Sequence, residues 1–216
     1  MPSCCSTFEN AVDQQFNQRK VAKELAQFRK KGPGPTTRLL EQGIAQTGLL
    51  GGSLLDVGAG FGALTFGLLH RGMTQAIAVD ASPASIRAAR EEAERRGCAQ
   101  SVQFVKGDFV DVANHLSRSS VVALDRVICC YPSYEALLDA ALGRAERCVA
   151  LSYPRDVWYV RLGMAGENAQ RWLTKNSFRT FVHPPGTIER TIRGAGFTLS
   201  SRRETWVWSA EVYLRR

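Results

Sequence analysis

The stretch that most constrains this chain is Leu54-Leu55-Asp56-Val57-Gly58-Ala59-Gly60-Phe61-Gly62, a short strand-like run that passes directly into a glycine loop. An apolar helical pattern follows from about residue 62 to 71. Glycines allow positive φ and close approach of backbone to a ligand, and the free N–H groups at the start of the next helix point to the same place. The expected ligand is nucleotide-like.

The rest of the sequence fits a sheet built around that loop. Apolar strands read at residues 54–57, 76–79, 102–105, 121–124 and 148–152, with helices over 62–71, 83–97, 109–117 and 134–144. Ser82 followed by Pro83 is a good helix start, because serine caps free N–H groups and proline is preset for the first turn. Such alternation implies an α/β, Rossmann-like doubly wound sheet, mostly parallel. Residues 197–201 and 206–214 alternate as a final antiparallel hairpin, preceded by a helix over 187–193. Before the first strand, Phe8, Val12, Phe16, Val21, Leu25 and Phe28 recur at helical intervals, so one helix is expected over 7–30, ended by Lys31-Gly32-Pro33-Gly34-Pro35. A second helix is expected over 36–47. Residues 1–50 therefore read as an N-terminal helical cap and 51–216 as the ligand-binding domain. A further helix over 156–176, with Val157, Val160, Met164 and Trp172 on one stripe, lies where it would close over the sheet edge. A length of 216 residues suits a single core, since chains usually divide beyond ~250 residues.

Charge separates the candidate ligands. A dinucleotide places an anionic pyrophosphate at the helix terminus, and a carboxylate just before the loop would repel it. Asp56 stands at that position. It suits a ligand with a cationic amino group, such as S-adenosylmethionine, whose sulfonium is also positive, and so disfavours an NAD-dependent oxidoreductase. Asp80, followed by Ala81, ends the second strand, at the spacing where a carboxylate accepts ribose hydroxyls. Asp108 and Phe109 follow the third strand, where they would accept an adenine amino group and pack on its ring. Taken singly, Asp80 or Asp108 also reads as a helix cap and Gly58, Gly60 and Gly62 as a tight turn. Their coincidence with three successive strand ends points to a ligand.

The strings Leu55-Asp56-Val57-Gly58-Ala59-Gly60-Phe61-Gly62, Val79-Asp80-Ala81-Ser82 and Gly107-Asp108-Phe109 resemble the class I S-adenosylmethionine-dependent methyltransferases. The resemblance runs from about residue 53 to the C-terminus and specifies the cofactor better than the acceptor. It implies that Asp56, Gly58, Ala59, Gly60 and Gly62 surround the methionine part, Asp80 and Ala81 the ribose, Asp108 and Phe109 the adenine, with Leu124 and Asp125 lining the site from the fourth strand. A looser likeness, to the magnesium-protoporphyrin O-methyltransferases, rests on Leu124-Asp125-Arg126-Val127-Ile128-Cys129-Cys130-Tyr131-Pro132 and His183-Pro184-Pro185-Gly186-Thr187-Ile188-Glu189-Arg190. The Gly-Pro-rich lead-in and the paired cysteines depart from that group, so its porphyrin substrate is not carried over.

Methyl transfer needs an aligned nucleophile and sometimes a base. His183 is the candidate base, because its ordinary pKa lies near neutrality, and Tyr131 is placed to contact the acceptor or the cofactor. Asp125 and Arg126 would line the cofactor or orient an acidic substrate. The acceptor expected is a small molecule methylated at oxygen, with an anionic group matching the net charge of +8. An RNA acceptor is the alternative from the same charge, disfavoured by the scatter of basic residues over 19–31, 90–96 and the C-terminus. Cys129-Cys130, with Cys4-Cys5, leaves open a metalloid or thiol acceptor held by thiolates, against inert packing. A non-catalytic cofactor-binding protein is the third alternative. The six cysteines match no zinc spacing, so no metal is expected, and they read as reduced thiols of a cytoplasmic protein without a secretory signal or membrane span.

Overall fold

The computed structural model describes residues 4–216, with side chains from residue 8 onward. Strands β1 (Ser53–Val57), β2 (Gln75–Asp80), β3 (Val102–Lys106), β4 (Ser119–Asp125), β5 (Ala145–Pro154), β6 (Phe197–Glu204) and β7 (Trp208–Arg215) form one sheet in the order β3-β2-β1-β4-β5-β7-β6. The first five pair in parallel, while β7 runs antiparallel to both β5 and β6. The expected final hairpin is therefore present, with its first strand extended to Glu204 and its second strand inserted against β5.

Alternate residues of the central strands face two separate cores, as strands covered on both faces require. On one face Leu54, Ala78, Val121 and Ala150 pack with helices α3 (Pro35–Ala45) and α4 (Ala63–His70) through Leu40, Ile44, Leu64 and Leu68. On the other, Leu55, Val79, Val122 and Leu151 pack with α6 (Phe109–Val112), α7 (Tyr134–Arg144) and α9 (Pro185–Gly194). Helix α5 (Pro83–Arg96) begins where Ser82 accepts the Ser85 N–H at 3.2 Å, and it rests on β2 and β3. The chain turns outward on either side of β1, to β2 on one hand and β4 on the other. That reversal opens a crevice beyond the C-terminal ends of β1 and β4.

Two helices differ from the sequence expectation. The single helix over 7–30 is broken into α1 (Cys4–Gln15) and α2 (Gln18–Lys31), because Asn17 is extended and its side chain accepts the Lys20 N–H at 3.1 Å. That cap starts a new helix and turns α2 back across the crevice. The helix expected over 109–117 shortens to the single turn α6, followed by a 3-10 turn over 113–115. Helix α8 (Trp158–Leu173) fills the position expected over 156–176, and of its sixteen residues only Val160 is buried. It caps the crevice without joining either core. Arg29 of α2 ties the cap to α5 through Glu92, which also holds Arg95 and Arg96, and this pulls the Glu92 carboxyl down to about 2.

Candidate functional site

A cavity of about 530 Å³ lies between the C-terminal ends of β1, β2 and β4 below and α1, α2 and α8 above. Its floor is the glycine loop. Gly58 has φ +63, and a Cβ added there would come within 2.5 Å of a Val127 methyl, so the position tolerates only glycine on two counts. The Ala59 N–H donates to the Val79 carbonyl and the Gly60 N–H to Asp80 Oδ2 at 2.8 Å, locking the loop onto the end of β2.

Four aspartates ring this floor, each at or just past a strand end. Asp56, buried in β1, accepts the Thr65 hydroxyl at 2.6 Å, and burial pushes its carboxyl up to about 7. Asp80 accepts the Ser82 and Gly60 N–H groups, each at 2.8 Å, and burial raises it to about 6. Asp108 caps α6 through the Val110 N–H at 3.0 Å and accepts the Tyr131 hydroxyl at 2.8 and 2.9 Å; burial raises its pKa. Asp125 accepts the Thr37 hydroxyl at 2.5 Å and the Ser152 hydroxyl at 2.6 Å. Arg126 follows in the left-handed region at φ +61, with its N–H on Ser152 Oγ, and its guanidinium turns toward the Trp208 ring, 6.0 Å away. A non-glycine residue held at positive φ beside a cavity is the kind of strain that collects at working sites.

The roof differs in charge. Lys20 of α2, Arg126 and Arg171 of α8 line the cavity, with Glu24 and Glu167. Arg171 is held by Glu167 at 2.9 Å, Thr180 at 3.0 Å and Asn168 at 3.1 Å. Lys20 has its pKa lowered by burial and by the fields of Arg171 and Arg126, partly offset by Glu24 and Cys130. Apolar contacts complete the roof: Phe8 meets the Tyr131 ring edge-on at 4.8 Å, and Val160 and Met164 reach down from α8.

Of the sequence-expected residues, Asp56, Gly58, Ala59, Gly60, Asp80, Ala81, Asp108, Phe109, Asp125 and Tyr131 all line this one cavity. Gly62, at φ +89, forms the turn into α4 but not the cavity wall, and Leu124 is wholly buried among core side chains. His183 is also placed elsewhere. It stands half-buried between Tyr134, at 4.1 Å between centroids, and Phe181, at 5.6 Å, with Nε2 3.1 Å from the Ile128 carbonyl. Burial lowers its pKa. Sequence reasoning missed Thr37, Thr65 and Ser152, which orient the aspartates, and Lys20 and Arg171. A hydroxyl that bonds a carboxylate 88 positions away, as Thr37 does, leaves no local pattern.

Residues 54–150 match the model of a methyltransferase-domain family. That stretch is a methyltransferase domain, and the chain is similar to the class I S-adenosylmethionine-dependent methyltransferases. Among curated relatives, a ribosomal protein L11 methyltransferase of Xylella fastidiosa is 31% identical over 160 residues, covering 68% of this chain and 51% of that protein. The counterpart from Photorhabdus laumondii is 41% identical over 66 residues, 31% of this chain and 22% of its own length. The chain thus spans about half or less of the relatives it matches. Among solved structures, magnesium protoporphyrin IX methyltransferase from Synechocystis PCC 6803, with bound S-adenosylhomocysteine, superposes with a TM-score of 0.63 at 18% identity, over 93% of this chain and 84% of that one. An O-methyltransferase family protein from Burkholderia thailandensis superposes at 0.73 and 17% identity, over 94% and 62% respectively. No described helix is long and apolar enough to cross a membrane. No group of three or more His, Cys, Asp or Glu suited to a metal occurs among the described residues.

Proposed function

We propose that this chain transfers the methyl group of S-adenosylmethionine to an oxygen of a small acceptor that carries an anionic group. The observation that carries the reading is the polarity of the cavity: carboxylates at successive strand ends below, and three cations above. Asp56 and the Gly58–Gly60 loop would hold the methionine end. Its ammonium group favours the ionised form of Asp56, whose carboxyl burial raises to about 7. Asp80 has both oxygens anchored on backbone N–H groups, leaving lone pairs for ribose hydroxyls. Asp108 would take the adenine amino group once the Tyr131 hydroxyl yields it, with Phe109 against the ring.

The acceptor would occupy the half beneath α8, its anionic group drawn to Lys20, Arg126 and Arg171 and its apolar body against Phe8, Val160 and Met164. Positioning supplies the catalysis, because the sulfonium is already activated and the pair needs chiefly alignment. Tyr131, at the boundary between the halves, is the side chain nearest to both roles assigned to it. The reading places the protein in the cytoplasm, where the cofactor is made available. A protein acceptor is the second reading, favoured by the curated relatives and by the exposed Trp158, Leu162 and Trp172 on the outer side of α8.

The test is incubation of the full chain with methyl-labelled S-adenosylmethionine and separated metabolite, RNA and protein fractions of a cell extract. Label is expected in the metabolite fraction as a base-labile or ether-linked methyl group. Label confined to a protein band would move the assignment to the second reading. Turnover absent in every fraction, with tight cofactor binding by calorimetry, would leave a binding protein.

A further inference from the structure

Two thiols in the cavity wall have no part in the methyl-transfer reading. Cys129 and Cys130 form the end of a 3-10 turn over 128–130, with their sulfurs 3.5 Å apart and both turned to the Arg126 carbonyl, at 3.5 and 3.6 Å. Both line the cavity. Cys130 also packs against the small cluster of Ala11, Val12 and Phe178, beside Phe8 and Phe16. The hydrogen bond from Cys129 and the positive fields of Arg126, Arg171 and Lys20 lower the Cys130 pKa, whereas the same hydrogen bond and burial hold Cys129 well above its usual range. The two sulfurs therefore lie side by side at the cavity wall, within reach of a single bridging atom. A partly exposed thiol beside cations is the usual setting of a reactive one.

Geometry narrows what such a pair can take. Across the trans peptide that joins them the two Cα atoms lie about 3.8 Å apart, short of the roughly 4.4–6.8 Å that disulfides span. Direct S–S bonding is therefore disfavoured, and a larger soft atom bridging the sulfurs is not. Soft thiolates select soft partners. No third His, Cys, Asp or Glu among the described residues completes the set, so a metal ion that needs three or four donors is not served. A monosubstituted trivalent arsenical has two open valences and an organic group that the adjoining aromatic cluster can receive.

We propose that Cys129 and Cys130 form a dithiol site that captures monosubstituted trivalent arsenicals in the roof of the cavity, filling the acceptor half. With an arylarsine oxide, two As–S bonds form, the As=O bond is lost, and the two thiol protons leave with that oxygen as water. Arsenic stays trivalent, so no oxidant or reductant is needed. Capture does not depend on the cofactor or on methyl transfer.

The full chain is treated with one equivalent of phenylarsine oxide and followed by intact mass, then by tryptic mapping. The expected product is a single adduct, lighter by one water than the sum of its parts, on the peptide that runs from Val127 to Arg144. It should resist an excess of 2-mercaptoethanol and be released by 2,3-dimercaptopropanol. A Cys4→Ser/Cys5→Ser double variant should keep it, and Cys130→Ser should lose it to the monothiol at least tenfold faster. An adduct on Cys4 and Cys5, or one that the monothiol removes from wild type, overturns the proposal. Mapping on wild type decides the matter even if Cys130→Ser does not fold.

Discussion

The two halves of the cavity are built differently. The lower half is made by one kind of local event repeated along the sheet: a parallel strand ends, and a short loop presents an aspartate or a glycine. The upper half is assembled from α1 and α2 near the start of the chain and from the turn after β4 and α8 far along it, segments that meet only in the folded chain. Rigid strand ends fix the lower half, while α8 contributes one buried residue, Val160, to its own anchorage. A common cofactor needs the first kind of construction and a particular acceptor the second. Each variant below should disturb one half and leave the other working.

The largest effect is expected at Gly58. Gly58→Val adds a side chain at φ +63, where a Cβ alone would stand 2.5 Å from Val127. Strain and overpacking of about 3 kcal/mol correspond to roughly 100-fold weaker binding of S-adenosylhomocysteine. Calorimetry checks it, with circular dichroism to establish folding. Unchanged affinity in a folded variant would remove the loop from the cofactor site. Asp80→Asn comes next. It replaces an acceptor of two backbone N–H groups and the proposed ribose contact by a neutral amide, and hydrogen bonds to a charged group contribute about 1.5–3 kcal/mol. A ten- to hundred-fold loss of cofactor affinity is expected, with acceptor KM little changed at saturating cofactor.

Titration sharpens the contrast further, because only the lower half contains carboxyls raised to neutrality. Burial raises the Asp56 carboxyl to about 7 and that of Asp80 to about 6. A ligand ammonium that favours the ionised form of Asp56 must expel its proton, so affinity rises with pH up to about 7 and levels off above it. Below pH 6 it should fall by up to about tenfold per unit. Calorimetry of the nucleoside in buffers of different ionisation enthalpy would register the released proton, and Asp56→Asn should remove that component. A flat profile between pH 5.5 and 8 would separate Asp56 from the ligand's ammonium.

The difference in construction also explains what the sequence disclosed. Strands, helices and the strand-end aspartates follow from spacing within about ten residues, and they were legible to within a few positions. The break at Asn17 was not, since the apolar stripe of Phe8 to Phe28 continues across it while the cap is made by one side chain. The place of β7 between β5 and β6 depends on long-range pairing, and no local pattern records it. The position of His183 depends on long-range contacts in the same way: its chemistry suits a base, but aromatic neighbours and the Ile128 carbonyl hold it outside the cavity wall.

A smaller effect is expected in the upper half. Arg171→Gln and Lys20→Gln each remove one of three cations facing the acceptor, and loss of one charge contact costs about 1 kcal/mol or a little more in a partly solvated site. Acceptor KM should rise about five- to tenfold with kcat nearly constant, and S-adenosylhomocysteine affinity should stay within about twofold. A loss of nucleoside binding instead would mean that the halves are not separable.

His183 gives the smallest effect on turnover and the sharpest test of where the chemistry lies. A general base contributes about 100- to 10,000-fold, so His183→Ala would be severe if the ring acted on the acceptor. From its position between Tyr134 and Phe181, outside the cavity wall, kcat should instead stay within about twofold. What the variant loses is packing: two aromatic contacts at about 0.5–1.5 kcal/mol each and the hydrogen bond to Ile128, which fixes the turn that carries Cys129 and Cys130. A fall of a few degrees in melting temperature with turnover preserved is the expected pair of results. Loss of turnover at an unchanged melting temperature would bring the ring into the reaction, and would require α9 and its leading loop to close over the acceptor.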